Sequence, residues 1–401
     1  MPSTRTEQQV DANPLPPQAS PIPLPPQASP VPLPPQASPV PLPPQASDVP
    51  WPSGSWPSGE VPAGVDLAPL LDAAFDPDGS LTQTYAVVVV HRGRLVAERY
   101  GGAIEHWDRK DEVVGPETLL LSWSIAKSML HALVGMLVAE GRLDVEAPAE
   151  VPQWREPGDP RAAITLEDLL AMRDGLDFAE EYVDAGASDV IEMLFGTGAG
   201  DTAAFTADRP LAAPPGERFN YSSGTTNVIS GIVARTVGPG EPYQRFLQER
   251  LLDPLGMRSA NATFDAAGTW IASSYVHATA RDFARFGSLY LRDGEWEGSR
   301  LLPAGWVDHG RRHRSTDAES GNGYGAQWWV VGDEHGSFWA NGYEGQSILV
   351  SPGLDLVVVR LGKTPAERYP ELKRWRADVV GAFAAAKAAA PDAPRLLERR
   401  P

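Results

Sequence analysis

The chain has 401 residues, 42% hydrophobic and 21% charged, enough apolar material for a large folded core. A net charge of −18 argues against nucleic acid, which demands a basic face, and equally against anionic lipid. With no cysteine, the chain has no disulfides, zinc–thiolate sites, iron–sulfur clusters or cysteine nucleophile.

The opening residues, Met1-Pro2-Ser3-Thr4-Arg5-Thr6-Glu7, lack the apolar run of a secretory signal, and no stretch approaches the length of a membrane span. A cytoplasmic location is expected. Residues 14–47 carry four copies of Pro-Leu-Pro-Pro-Gln-Ala-Ser at a nine-residue period. Repeats so rich in proline favour extended polyproline II and cannot build a hydrogen-bonded core. They read as a spacer, or else as a ligand for a proline-binding module. Residues 1–60 are therefore expected to be disordered, with folded structure beginning near Val61.

Residues 85–91 are valine-rich and read as a buried strand, turned by Arg92-Gly93-Arg94 into a hairpin partner at 95–100. Next comes Ser122-Trp123-Ser124-Ile125-Ala126-Lys127, opening an apolar stripe through Leu130, Leu133, Val134, Leu137 and Val138, with Gly141 as the stop. Residues three apart share a helix face, so the Ser124 hydroxyl and the Lys127 amine are predicted side by side. A helix N-terminus favours a developing oxyanion, and a buried amine can take the serine proton. The plainer reading of Ser-x-x-Lys is a capping serine and a surface lysine.

Thr165 with Asp168 predicts a capping box on a short helix ended by Gly175. Residues 176–220 read as loop, and 225–237 as a helix stopped at Gly238. In front of that helix, Tyr221 stands at a corner where a phenol can exchange a proton. His309 and His313 have the spacing of a zinc pair, but Gly310 replaces the glutamate of His-Glu-x-x-His, and they read as surface residues. Strands follow at 325–331, 337–340, 346–350 and 356–360, then an alanine-rich helix over 374–388 and a tail at 391–401. Between two of those strands, Asn341-Gly342-Tyr343-Glu344-Gly345-Gln346 offers glycines that let a backbone amide approach a ligand. Strands at both ends of a helical middle predict an α+β fold: one antiparallel sheet flanked by helices, with a mainly helical lobe inserted. The expected division is an α/β lobe from 61–165 and 270–390 and a helical lobe at 166–269.

Ser-x-x-Lys, Tyr-x-Ser and a glycine-rich strand edge, in that order, resemble the signature set of the serine β-lactamase and penicillin-binding-protein superfamily. The resemblance is to its branch of 6-aminohexanoate-dimer hydrolases and class C-like esterases. It extends over residues 122–127, 177–184, 219–223, 280–287, Gln327-Trp328-Trp329 and Gly345-Gln346. It implies a β-lactamase/transpeptidase-like fold and a serine hydrolase that needs no cofactor or metal. Ser124 would be the acylated nucleophile, Lys127 its proton acceptor and Tyr221 the general acid/base, with an oxyanion hole from the amides of Ser124 and Gln346. Tyr182, Ser223, Tyr343, Glu344 and Gly345 would meet a small ester or amide substrate. Ser223 stands where the family usually has asparagine, and Tyr343 where β-lactamases have the lysine of Lys-Thr-Gly. Lys363-Thr364-Pro365 follows the last predicted strand and is no substitute. Cleavage of esters or linear amides is expected ahead of β-lactamase or D-alanyl-D-alanine carboxypeptidase activity. A reading of another class, a non-catalytic binding protein working through its proline-rich arm, leaves Ser124, Lys127 and Tyr221 unexplained.

Overall fold

The computed structural model describes residues 40–52, 54–105, 109–182 and 188–389; the first three proline repeats, Asp184 and the 391–401 tail lie outside them. The main sheet is antiparallel and has strands β1 (Gln83–His91), β2 (Arg94–Tyr100), β3 (Ser315–Thr316), β4 (Gly323–Tyr324), β5 (Trp329–Val330), β6 (Phe338–Asn341), β7 (Ser347–Ser351) and β8 (Leu356–Lys363). Their order is β3-β4-β5-β6-β7-β8-β1-β2, so the N-terminal hairpin completes a sheet begun by the C-terminal strands. The helices that frame the site are α1 (Ala68–Ala74), α2 (Ile125–Ala139), α3 (Leu166–Leu170), α4 (Asp189–Phe195), α5 (Thr202–Ala207), α6 (Ser223–Val237), α7 (Ala280–Leu291), α8 (Trp306–Arg311) and α9 (Tyr369–Ala389).

The valine run of β1 is continuous because the strand is buried on both faces. Val87 and Val89 join Leu349, Val358 and the α9 residues Leu372, Trp375, Val379 and Phe383 in one layer. Val88 and Val90 face the opposite way, into the larger core with Ile348, Val357, Phe283 and Phe286. Gly287 lets α7 lie close on the sheet: a β-carbon there would meet Ile348 Cγ2 and Val357 Cγ1 at 2.7 Å. Helix α2 is buried on every side from Ile125 to Leu137, and such a helix belongs at the centre of a fold.

Several expectations are corrected. Folded structure starts well before Val61. Val49 is buried, Trp51 lies 5.2 Å from Trp296, and Trp56 donates its indole N–H to the Arg281 carbonyl at 3.2 Å. Even the fourth repeat is attached, with Leu42 on the core and the Val40 carbonyl accepting from Arg311. The helix capped by Thr165 ends at Leu170 rather than Gly175, since Met172 takes a left-handed backbone with φ 57°. The 176–220 stretch holds helices α4 and α5, each opened by a side-chain cap, from Ser188 and Asp201. Strand β5 spans only Trp329–Val330, because Gln327 also sits at positive φ (56°) and breaks the extended run. Strand β8 runs on to Lys363, which therefore lies within the strand and not after it. Helix α9 starts at Tyr369, with Pro370 tolerated in its first turn.

His309 is half-buried and fully engaged, not a free surface residue. Its Nε2 is 2.7 Å from Glu167 Oε2, its Nδ1 is 3.1 Å from His131 Nε2, and its ring stacks on Trp306 at 4.4 Å. Helix α8 ends at Arg311, so His313 falls outside it and bonds Thr316 instead. Among the described residues, no group of three or more His, Cys, Asp or Glu side chains is placed to hold a metal ion. No helix among them is long and apolar enough to cross a membrane.

Candidate active site

Ser124 is the N-cap residue of α2, yet its side chain makes no capping hydrogen bond. Ser222, at the same position of α6, spends its hydroxyl on the Thr225 amide at 2.9 Å. The capping-serine reading of Ser124 thus fails, and its hydroxyl is left for Lys127. The preceding residue, Trp123, carries strain: it adopts a left-handed backbone (φ 45°), a conformation costly for a bulky side chain and concentrated at functional sites.

Lys127 is buried, and its Nζ donates to Ser124 Oγ, Ser223 Oγ and the Ser273 carbonyl, each at 2.9 Å. Burial lowers its pKa to about 8, against an opposing pull from the nearby Glu180 carboxylate. Tyr221 enters from the corner before α6, which Asn220 fixes by donating its backbone N–H to the Met172 carbonyl at 2.8 Å and its side chain to Phe178 O at 3.1 Å. The Tyr221 phenol lies close enough to Ser124 for that side chain to lower its pKa slightly, and Lys127 Nζ lies 5.1 Å from the centre of its ring. Burial, reinforced by Glu180, raises this phenol far above its ordinary pKa, so it stays protonated near neutral pH. Trp329 and Tyr324 wall its ring at 5.3 and 6.0 Å.

Opposite the nucleophile stands a tight turn, Tyr343–Gly345, leading into β7. Gly342 brings the turn against the nucleophile turn: a β-carbon there would lie 2.5 Å from the Ser122 carbonyl and 3.1 Å from Trp123 Cβ. Gln346 is locked by its side chain, whose Oε1 accepts from the Gly362 amide of β8 at 2.8 Å. Among the described residues, neither the Ser124 nor the Gln346 amide donates to a backbone carbonyl in a turn or cap. Tyr343 packs edge-on to Trp123 at 5.5 Å and against Tyr182 at 4.8 Å, so position 343 supplies an aromatic wall instead of a cation.

The sequence-chosen residues divide. Ser124, Lys127, Tyr221, Ser223, Tyr182, Tyr343 and Gln346 gather around one centre. Gly345 turns its open side to α9, where a β-carbon would strike Leu372. Glu344 has φ 59° and ties the turn down: its amide donates to Tyr369 at 3.1 Å and its carbonyl accepts from Thr364. Its carboxyl group shares a small cleft with Trp123 and Gln346, and burial raises its pKa. Lys363 spends its amine on the Glu105 carbonyl at 3.1 Å.

Three partners escaped the sequence reading. Ser273 offers Lys127 a carbonyl from 146 residues away, and no side-chain pattern signals a backbone acceptor. Arg360, wholly buried, donates to the Glu344 and Gly345 carbonyls at 3.3 and 3.4 Å and so holds the turn from beneath; burial lowers its pKa to about 9. Glu180 lies in the 177–184 stretch that carries the resemblance but received no role there. It accepts from the Ser223 amide at 2.7 Å, from the Ser223 hydroxyl at 2.5 Å, and from the Tyr182 hydroxyl.

A buried serine–lysine pair at the head of a central helix, faced by a tyrosine and a strand-edge turn, defines a hydrolase of the serine β-lactamase superfamily. The profile of the Beta-lactamase family matches residues 72–382, and the chain belongs to that family. It is 31% identical to the 6-aminohexanoate-dimer hydrolase of Paenarthrobacter ureafaciens over 314 residues, 73% of this chain and 75% of that protein. In fold it is similar to a Bacillus anthracis protein provisionally named as a 6-aminohexanoate-dimer hydrolase (TM-score 0.67, 24% identity, 84% of this chain and 89% of that one). It is likewise similar to a penicillin-binding-protein homologue from Caulobacter crescentus (TM-score 0.61, 19% identity, 80% and 99% covered).

Proposed function

We propose that the protein cleaves ester or linear amide bonds through an acyl-enzyme on Ser124. The observation that carries this reading is Lys127. Its amine is buried, bonded to the Ser124 hydroxyl, and lowered to about 8, so a useful fraction is neutral near pH 7. Tyr221, its pKa raised, makes a poor base and a ready proton donor. Ser124 Oγ attacks the carbonyl carbon while its proton passes to Lys127 Nζ. The carbonyl oxygen becomes an oxyanion between the amides of Ser124 and Gln346. As the bond to the leaving group breaks, Tyr221 gives that group a proton and is reprotonated from the Lys127 ammonium. Water then attacks the ester on Ser124 by the same route in reverse, releasing the acid.

The substrate class follows from position 343. β-Lactamases use a lysine there to help bind the substrate carboxylate, a charge-assisted bond that contributes about 1.5–3 kcal/mol. Tyr343 carries no such charge, and with Trp123 and Tyr182 it forms an aromatic lining suited to extended apolar chains. The relative named for 6-aminohexanoate dimer, a linear amide, supports the same class. Esters should react fastest, since an alkoxide leaves more readily than an amine. Turnover of p-nitrophenyl esters, aminohexanoate oligomers and nitrocefin tests the proposal. The expected order of kcat/KM is ester, then linear amide, then nitrocefin; nitrocefin ahead of every ester and amide would refute it.

A further inference from the structure

The Ser223 hydroxyl has one proton, and it is committed. It points to Glu180 Oε1 at 2.5 Å, while the other carboxylate oxygen takes the Ser223 amide at 2.7 Å. Only lone pairs of Ser223 Oγ are then left for Lys127, 2.9 Å away. The second partner of Lys127, the Ser273 carbonyl, can likewise only accept, and its residue is fixed by an amide hydrogen bond to Asn227 Oδ1 at 3.1 Å. A neutral amine has two N–H groups and one lone pair. Two obligate acceptors take both N–H groups, and the lone pair is left to Ser124.

We propose that Glu180 is a positioning residue that acts through Ser223, fixing the direction of the hydrogen bonds around Lys127 so that its lone pair faces the Ser124 hydroxyl. This rests on the reading of Ser124 as nucleophile and Lys127 as base. Without Glu180 the Ser223 hydroxyl is free to rotate and donate its proton to the lysine lone pair, in competition with Ser124. Asparagine, usual in the family at this position, needs no such partner, because an amide oxygen only accepts. Serine at 223 and glutamate at 180 together replace that one-way acceptor. Tyr182 donates to the same carboxylate, which ties the aromatic wall to the orientation of the base.

The charge of Glu180 also has a cost. It favours the lysine ammonium and so opposes the desolvation that makes Lys127 a base. The other titratable groups around the pair are Tyr221 ahead of α6, Tyr182 beside Glu180, and Tyr324 of β4 against Tyr221. Tyr221 and Tyr324 are phenols held neutral by burial, Tyr182 is an exposed phenol that donates its proton to Glu180, and Glu180 is the one carboxylate acting on Lys127 among the described residues.

The test is the pH profile of kcat/KM for a p-nitrophenyl ester in Glu180→Gln, Ser223→Asn, Ser223→Ala and the two double variants. Glu180→Gln should lower the plateau by about tenfold or more while moving the acid limb to lower pH. A purely structural defect would not produce that opposed pair of changes. In the Ser223→Asn and Ser223→Ala backgrounds no hydroxyl remains to be directed, and the same substitution should cost less than about threefold. Equal losses in all three backgrounds, or an acid limb that stays in place, would overturn the proposal; melting temperatures identify any variant that fails to fold, and either background serves alone. Fluorophosphonate labelling of the unsubstituted protein separates the two ideas. A label away from Ser124 removes the nucleophile reading and this inference with it, whereas a label on Ser124 with equal losses removes only the role of Glu180.

Discussion

Gly342 and Ser122 are in backbone contact: a β-carbon at 342 would stand 2.5 Å from the Ser122 carbonyl oxygen. This is how the turn that carries Gln346 reaches the turn that carries Ser124, since Ser122 is itself fixed by its amide to the Val276 carbonyl at 2.8 Å. Gly342→Ala must push the two turns apart and misplace one oxyanion donor relative to the other. We expect kcat to fall by about 10²–10³, the usual cost of one lost oxyanion donor, with KM little changed. Steady-state kinetics on a p-nitrophenyl ester checks it; a variant with unimpaired kcat would show that this contact does not position the hole.

Activity should follow the ionisation of Lys127. Below about pH 8 the amine is mostly ammonium and cannot accept the Ser124 proton; above it the neutral form dominates. The kcat/KM profile is therefore expected to rise with pH and level off above about 8, with no corresponding limb in Lys127→Met, whose residual rate should be lower by several orders of magnitude. A profile already flat from pH 5 would contradict the assignment of Lys127 as base.

Deletion should distinguish the ordered part of the arm from the repeats. Loss of residues 1–60 removes buried Val49 and half-buried Trp51 and Trp56 from the surfaces they cover; full burial contributes about 1.5–3 kcal/mol per side chain, and the two tryptophans contribute a part of that each. Thermal unfolding should show a clear drop in Tm for a chain starting at Val61. A chain starting at Pro39 keeps these contacts and should melt as the full chain does.

Asp174 is buried, accepting from the Leu176 amide and the Thr225 hydroxyl at 2.8 Å each, and desolvation raises its pKa from 3.8 to about 6. The folded state therefore holds this proton more tightly than the unfolded one, and stability falls as pH rises from about 4 through 6. Asp174→Asn, neutral throughout, should gain about 1–3 kcal/mol over the wild type at pH 8 relative to pH 4. Denaturant unfolding at the two pH values measures it; a gap independent of pH would show that Asp174 ionises freely.

What could be read from the sequence was local. Ser124 and Lys127 are three residues apart on one helix, Tyr221 stands at the mouth of another, and helical periodicity alone marks both. The valine run of β1 and its hairpin announce the sheet in the same way. What escaped depends on distant chain segments: Glu180 meets Ser223 across 43 residues, and Ser273 meets Lys127 across 146. The arm misled for a different reason. Its proline content argues against a core of its own, yet Trp51 and Trp56 pack, half-buried, against the core of the rest of the chain. The left-handed residues Met172 and Gln327 shortened a predicted helix and a predicted strand, and both are held by distant chain segments: the Met172 carbonyl accepts from the Asn220 amide, and the Gln327 amide donates to Leu170 O.

Hydrolysis by the proposed route passes through a covalent bond to one atom, Ser124 Oγ. Protein quenched during turnover of a slow ester, digested and analysed by mass spectrometry, should show the acyl mass on the peptide containing Ser124, and Ser124→Ala should show no adduct and lose turnover by about a millionfold. An acyl group on another residue, or near-normal turnover in Ser124→Ala, would contradict it.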